Sequence, residues 1–492
     1  MVVVLISVLS CMKILNYSFQ ILDKKNIFFS TPIYQGIISG IAVLIMAYYL
    51  LNKFKMVYLG LLVLNVGGVF VSHSKAAFLG VLIFVVLMVM QRKRKVILVV
   101  LGFTLLTIFI PNPIRDSFVF SIKRDPYALN RLDIWRMSIS IFTENFLTGV
   151  GPDNFSEIAK KYNFKQTQGP ANYFKVPYLS HNDYLQFMAE NGIAGAIFLL
   201  SLGYVLIRNR VKNSLFKLSK ILVLYLLFLF FLFNLFFHVF FFFIFIFLLK
   251  DLFENRITYR SINRSVKVYF VFLLITALMV GNFFPLLSED LMNRADKSQN
   301  VIERFEILKT VNYINPLDAI AHYQKARLLF DFFRNTSNLE YFYASLKSLK
   351  KVQSLNRYFV NAYLLESDIY FNLLQKHLKY PNLFEEIILP LSRAETYDPF
   401  NPFIKLKKAE VYLLFNQKEE SQAEAVKAIS LEPEYISALL FLEENFRFFA
   451  NKDEFNEKIS NILKKAEKIK PIKGTYLFKL YQLPKGHTNL VE

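Results

Sequence analysis

Apolar runs of bilayer-compatible length punctuate residues 1–288, near 32–51, 56–71, 76–90, 96–110, 193–207, 219–249 and 268–286. The opening MVVVLISVLSCM is apolar from its first residue, with no basic stretch ahead of it, and reads as the tail of a span. Residues 219–249 would make a helix of about 46 Å at 1.5 Å per residue, against a hydrocarbon core of about 30 Å. A hairpin turning near Asn234 to His238 fits better and brings the total to about nine spans. From about residue 300 the pattern changes to amphipathic helices separated by the turn dipeptides Asn315-Pro316, Asp398-Pro399 and Glu432-Pro433. The chain is therefore expected to be all-α.

Pro399 and Pro433 stand 34 residues apart, the tetratricopeptide period, and the intervening segment has the AEAVKAISLEP ending of that repeat's second helix. More degenerate copies follow Pro316 and Arg357. The expected organisation is transmembrane helices over 1–111, an extracytoplasmic catalytic loop over 112–192, transmembrane helices over 193–288, and an extracytoplasmic tetratricopeptide-like α-solenoid over 289–492. Stacked helix pairs suit a protein partner; packing on the membrane helices is an equal reading of that solenoid.

Charge supports this division. The chain carries a net +20 and is 54% apolar, but residues 1–288 hold 29 basic and 11 acidic side chains against 29 and 27 in residues 289–492. Four basic loops collect the excess: Lys53 and Lys55; Arg92 to Lys95; Arg208 to Lys220; Lys250 to Lys267. Short basic loops stay cytoplasmic, so the hairpin keeps all four inside and puts 112–192 and the C-terminal 200 residues outside. The basic balance is thus a topology signal and does not call for nucleic acid. A lone cysteine, Cys11, excludes an intramolecular disulfide and a cysteine-based zinc site.

The loop 112–192 is too long and polar for a simple connector. It contains RLDIWRMSISIFTENFLTGVGPDNF (131–155) and YLSHNDYLQFMAENGIAGAIFLL (178–200). An Arg-x3-Trp segment, a Gly-x-Gly with an aromatic four residues on, His-Asn-x-Tyr-Leu, and Ala-Glu-x-Gly-x-x-Gly opening a span together resemble the O-antigen ligase and polymerase superfamily. That resemblance implies a bacterial inner-membrane enzyme moving a glycan from undecaprenyl pyrophosphate to a glycan or protein acceptor, with membrane lipid around it. Residue by residue it implies Arg131 as the loop arginine and His181 as the loop histidine. SHSKAAFLG (72–80) resembles the family's Ser-Arg-Gly-type motif, with Lys75 where arginine is expected. Arginine holds phosphate bidentately and lysine acts as a point charge. Family members commonly carry further spans before this point.

The chemistry has its own logic. A glycosyl pyrophosphate is already activated, so the protein must stabilise departing negative charge and deprotonate a hydroxyl. Arg131 and Lys75 suit the first task and His181 the second. His73, Arg136, Asn182 and His238 are candidate substrate contacts; Arg136 also reads as a solvated loop charge and His238 as an ordinary polar turn residue. Gly149 and Gly151 are expected to allow a tight turn. No cofactor is implied: there is no Walker loop or dinucleotide glycine pattern, and the loop histidine lacks a paired metal ligand at helical spacing. Two other classes fit less of the pattern, a non-catalytic membrane scaffold presenting its repeats to an envelope assembly complex, and a transporter.

Overall fold

The structure, a computed structural model, describes residues 32–72, 74–90, 131–162, 173, 177–208, 214–232, 287–449, 451–469, 473 and 475–483. All regular structure among them is helical. They fall into two units, one within Met1–Gly151 and Leu179–Thr258, the other within Pro152–Tyr178 and Tyr259–Glu492. The expected spans at 1–12, 96–110 and 268–286, and the turn near Asn234 to His238, lie outside the described residues.

The first unit is built from α1 (Pro32–Asn52), α2 (Met56–Val71), α3 (Lys75–Met90), α4 (Arg131–Glu144), α6 (Asp183–Arg208) and α7 (Ser214–Leu232). Tyr34–Asn52 and Asp183–Tyr204 are long and apolar enough to cross a membrane, and α2 and α3 are shorter apolar helices. Two glycines set the packing of α1, α3 and α7. A Cβ on Gly40 would meet the Tyr225 hydroxyl at 2.1 Å, and one on Gly80 would meet the Tyr225 ring at 2.8 Å. The fully buried Tyr225 of α7 therefore fills the space two missing side chains leave, and Phe84 of α3 meets its ring edge-on at 6.0 Å. Between apolar helices of this kind, the gain comes from the close van der Waals fit of the ring against the glycine faces.

Helix α6 is broken once, at Gly192 (φ 59°, ψ −144°). The loop after α4 is stitched into the break by main-chain bonds: Ile193 N–H donates to Phe146 O at 2.7 Å, Val150 N–H to Ala189 O at 3.0 Å and Gly151 N–H to Glu190 O at 3.0 Å. Gly149 and Gly151 both take positive φ (68° and 89°), so the Gly-x-Gly is the tight turn expected of it. A Cβ on Gly149 would lie 2.2 Å from Glu190 O, and one on Gly192 would lie 2.6 Å from Gly149 N. The apolar run that the sequence starts at 193 is thus the second half of a longer, interrupted helix. Helix α7 likewise extends back to Ser214, taking Lys217 and Lys220 into its first turns.

The second unit is a stack of helix pairs joined by short turns. It comprises α5 (Phe155–Ala159), α8 (Val301–Ile314), α9 (Ala319–Thr336), α10 (Leu339–Leu355), α11 (Val360–Gln375), α12 (Leu383–Tyr397), α13 (Pro402–Leu414), α14 (Lys418–Leu431), α15 (Ile436–Phe446), α16 (Lys452–Ile469) and α17 (Tyr476–Tyr481). Helices α8, α12 and α14 each stop just ahead of one of the three turn dipeptides, because the residue before a proline is pushed out of the helical region. The 34-residue unit appears in α13 and α14, of 13 and 14 residues; α9 and α10, of 18 and 17, are longer, which is why the earlier copies look degenerate.

Asp398 and Glu432, equivalent positions one repeat apart, are buried, and both hold Tyr173. The Tyr173 hydroxyl donates to Asp398 Oδ2, and its N–H donates to Glu432 Oε1 at 2.5 Å. Asn401 Nδ2 donates to Asp398 Oδ2 at 2.9 Å, Tyr476 OH donates to Glu432 Oε1 at 2.8 Å, and the Tyr173 and Tyr476 rings are 5.2 Å apart. Burial pushes the Asp398 carboxyl up to about 6, despite the donors from Tyr173 and Asn401 that pull it down.

The packing makes Gly149 and Asp398 sensitive positions. Gly149→Ala should destabilise the protein by more than about 2 kcal/mol in detergent thermal unfolding, through strain at positive φ and a backbone clash. Gly60→Ala, where a Cβ meets nothing within 4 Å, should shift stability by no more than about 1 kcal/mol. For Asp398, the folded carboxyl titrates above its ordinary value of 3.8, so its contribution is intact below about pH 4 and is lost as pH rises to about 6. The Asp398→Asn protein should gain on the parent over that window, by about 3 kcal/mol at most. Melting temperatures at several pH values test this; a difference that does not change with pH would contradict it.

Candidate functional site

The turn between α2 and α3 is built from serines. Ser72 Oγ donates to Val69 O at 2.7 Å and accepts the Ser74 N–H at 3.2 Å, while Ser74 Oγ accepts the Ala77 N–H at 3.3 Å and caps α3. Both serines are buried, and Gly36 of α1 makes the approach possible, since a Cβ there would lie 2.3 Å from Ser72 Oγ. This turn fixes Lys75 as the first residue of α3. At the other end of the α1–α2 pair, where the Tyr49 and Tyr58 rings meet at 5.8 Å, lie Lys53 and Lys55.

His181 sits in a turn of similar construction. Ser180 Oγ donates to Asn182 O at 2.5 Å and accepts the Asn182 N–H at 3.1 Å. Asn182 Oδ1 accepts the N–H groups of Tyr184 and Leu185 at 3.0 and 3.1 Å, so it caps α6. Ser180, Asn182 and Asp183 are buried, whereas His181 between them is exposed with φ 54°. A non-glycine residue in the left-handed region costs on the order of 1 kcal/mol. The turn holds it there.

Arg131 is the first described residue of α4. Its guanidinium donates to Leu232 O of α7 at 3.2 Å, and Trp135 one turn on packs against Phe231 at 5.2 Å between centroids. Tyr184 OH donates to Leu227 O at 2.7 Å, tying the start of α6 to the same stretch of α7. Arg131 lies within electrostatic reach of both Lys75 and His181. Partial burial and, after it, the Arg131 charge hold the His181 imidazole below its ordinary value of 6.5. Three segments far apart in sequence thus bring two cations and an imidazole held toward its neutral form to one end of the unit.

The other candidates are placed differently. Arg136 is on an exposed face of α4, 3.6 Å from Asp133. Asn182 is 1% exposed and committed to capping. His73 and His238 lie outside the described residues. Glu190 lies inside the Ala-Glu-x-Gly-x-x-Gly motif, where the sequence alone assigns it no role. Its carboxylate is 1% exposed, accepts Gln186 Nε2 at 2.9 Å, and adjoins the backbone stitch at Gly192. Gln186 Oε1 in turn accepts the Ser180 N–H at 3.2 Å, so this chain of polar groups reaches the base of the His181 turn. An acidic residue on an otherwise apolar helix was the available signal. Among the described residues no three His, Cys, Asp or Glu side chains gather as metal ligands.

Among solved structures, the chain is similar to a thermophilic TPR protein of Thermus thermophilus (18% identity, 37% of this chain, 92% of that chain, TM-score 0.29). It is also similar to the MamA protein (17% identity, 42% of this chain, 99% of that chain, TM-score 0.28). No curated protein matches the chain. Residues 60–200, which contain Lys75, Arg131, both motif glycines, His181 and the Gly192 break, match the family model described as O-Antigen ligase.

Proposed function

We propose that the protein is a multi-pass inner-membrane glycosyltransferase that moves an oligo- or polysaccharide from polyprenyl pyrophosphate to a hydroxyl acceptor on the extracytoplasmic side. The observation that carries this is the convergence of Lys75, Arg131 and His181 within the segment matching the O-Antigen ligase model. In the proposed step the acceptor oxygen forms a bond to the anomeric carbon as the bond to the pyrophosphate oxygen breaks. The acceptor proton passes to the neutral His181 imidazole, and the charge developing on the pyrophosphate is met by Arg131 and Lys75. Single displacement inverts the anomeric centre. Asn182 acts by holding the turn that presents His181.

Orientation is supported by the separation of charge. Lys53 and Lys55, which belong on the cytoplasmic side, lie at the opposite end of the α1–α2 pair from the Lys75 turn. The helical repeats supply a surface for a protein partner or for an acceptor presented by one.

In membranes supplied with lipid-linked glycan, His181→Ala and Arg131→Ala at normal protein levels should each reduce transfer by about 10²–10⁴-fold. Lys75→Arg should retain activity that Lys75→Ala loses. Since His181 must be neutral to accept a proton and titrates below 6.5, the rate should rise with pH through a limb centred below 6.5. Undiminished transfer in both alanine variants would refute the assignment.

A further inference from the structure

The N-terminal end of the repeat unit carries a charge arrangement that the unit's near-neutral composition does not explain. Lys309 on α8, Lys325 on α9 and Lys347 on α10 are linked within electrostatic reach through Lys325, and His322 on α9 feels both Lys325 and Lys351. Glu306 pairs with Lys309 at 3.5 Å. Among the described residues no carboxylate lies within ion-pair distance of Lys325, Lys347 or Lys351. The nearby Asp318 is used internally: its Oδ1 caps α9 by accepting the Ala321 N–H at 3.0 Å, and its Oδ2 accepts Ser288 OH at 3.0 Å.

Beside these cations the α8–α9 turn exposes three apolar side chains. Tyr313 is 88% exposed, Leu317 73% and Ile320 55%. Tyr313 stands one helical turn beyond Lys309 on the same face of α8. His322 Nε2 lies 3.1 Å from Pro316 O, which fixes the turn carrying Leu317 against the start of α9. A tyrosine and two aliphatic residues exposed at a turn, with lysines on the helices that adjoin it whose long stems can lie along apolar surface, is the composition of a membrane-interface anchor. In sequence the tip also follows closely on the apolar run 268–286.

We infer that the α8–α9 turn docks on an anionic phospholipid surface, with Tyr313, Leu317 and Ile320 inserted at the headgroup level and Lys309, Lys325, Lys347 and Lys351 on lipid phosphates. Each lysine near an anionic surface strengthens association about fivefold, so the four together are worth several-hundredfold, lost in high salt. The inference does not depend on the glycan-transfer reading, because it concerns lipid contact alone.

The test uses the full-length protein with Cys11→Ser and Leu317→Cys, labelled with an environment-sensitive fluorophore and reconstituted in nanodiscs with or without phosphatidylglycerol. A matched label at the exposed Lys452 serves as control. The label at 317 should shift to the blue and be quenched by brominated lipid in anionic discs, revert in high salt, and revert when the four lysines are changed to glutamine; the control label should stay water-like. In a Tyr313→Ser, Ile320→Ser protein the quenching should fall while the lysine-dependent salt response persists. A water-like label at 317 in anionic discs, or quenching indifferent to phosphatidylglycerol and to the lysines, would overturn the inference. So would a response to an added acidic oligosaccharide in place of anionic lipid, since the patch would then serve a soluble polyanion.

Discussion

The arrangement of the site rests on one backbone constraint, the insertion of the 146–151 loop into the gap in α6 at Gly192. Main-chain bonds on both sides of the gap replace the helical bonds that the break removes, which is why a helix can be interrupted there at low cost. Neither Gly149 nor Gly192 could carry a Cβ, because each would press on the other's strand of the stitch. The α4 helix bearing Arg131 is thereby held to α6, whose first residues follow His181. The Ser180–Gln186–Glu190 chain of polar groups runs between the break and that turn. Side-chain positions at the site are consequences of a main-chain fit.

In the repeat unit, single residues serve two purposes. The acidic residue before Pro399 and before Pro433 ends a helix, and in these two successive repeats the same residue also holds Tyr173, once through its hydroxyl and once through its N–H. The chain leaves the first unit at Gly151 and returns at Leu179, and the intervening segment belongs to the repeat unit. A repeating architecture offers such a segment regularly spaced, pre-formed acceptors.

Much of this was legible in the sequence, for physical reasons that can be named. The apolar runs marked α1, α2 and α3 because lipid-compatible helices need uninterrupted apolar length. The dipeptides at Pro316, Pro399 and Pro433 marked helix ends because proline excludes helical geometry at the preceding residue. The grouping of Arg131 with Lys75 and His181 was suggested by resemblance, and their proximity is a tertiary fact that no local pattern encodes. The break in α6 was half legible: Gly192 stood in the quoted motif, but a glycine in an apolar helix also fits close packing, as Gly40 and Gly80 do around Tyr225. What could not be read was the role of Asn182. The same side chain suits a substrate contact and a helix cap, and only the positions of the Tyr184 and Leu185 N–H groups decide between them. The grip on Tyr173 was likewise invisible, since its partners are more than two hundred residues away.

The stitch at Gly192 also bears on depth. A helix interrupted in hydrocarbon is normally excluded because its freed amide and carbonyl groups would face lipid without partners. Here those groups bond to the chain's own loop and need no water. The break itself therefore needs no hydration, while the loop it admits brings polar backbone with it and leaves residues 146–148 exposed. The two glycines that look like a minor turn signal in the sequence are what make the interruption structurally permissible.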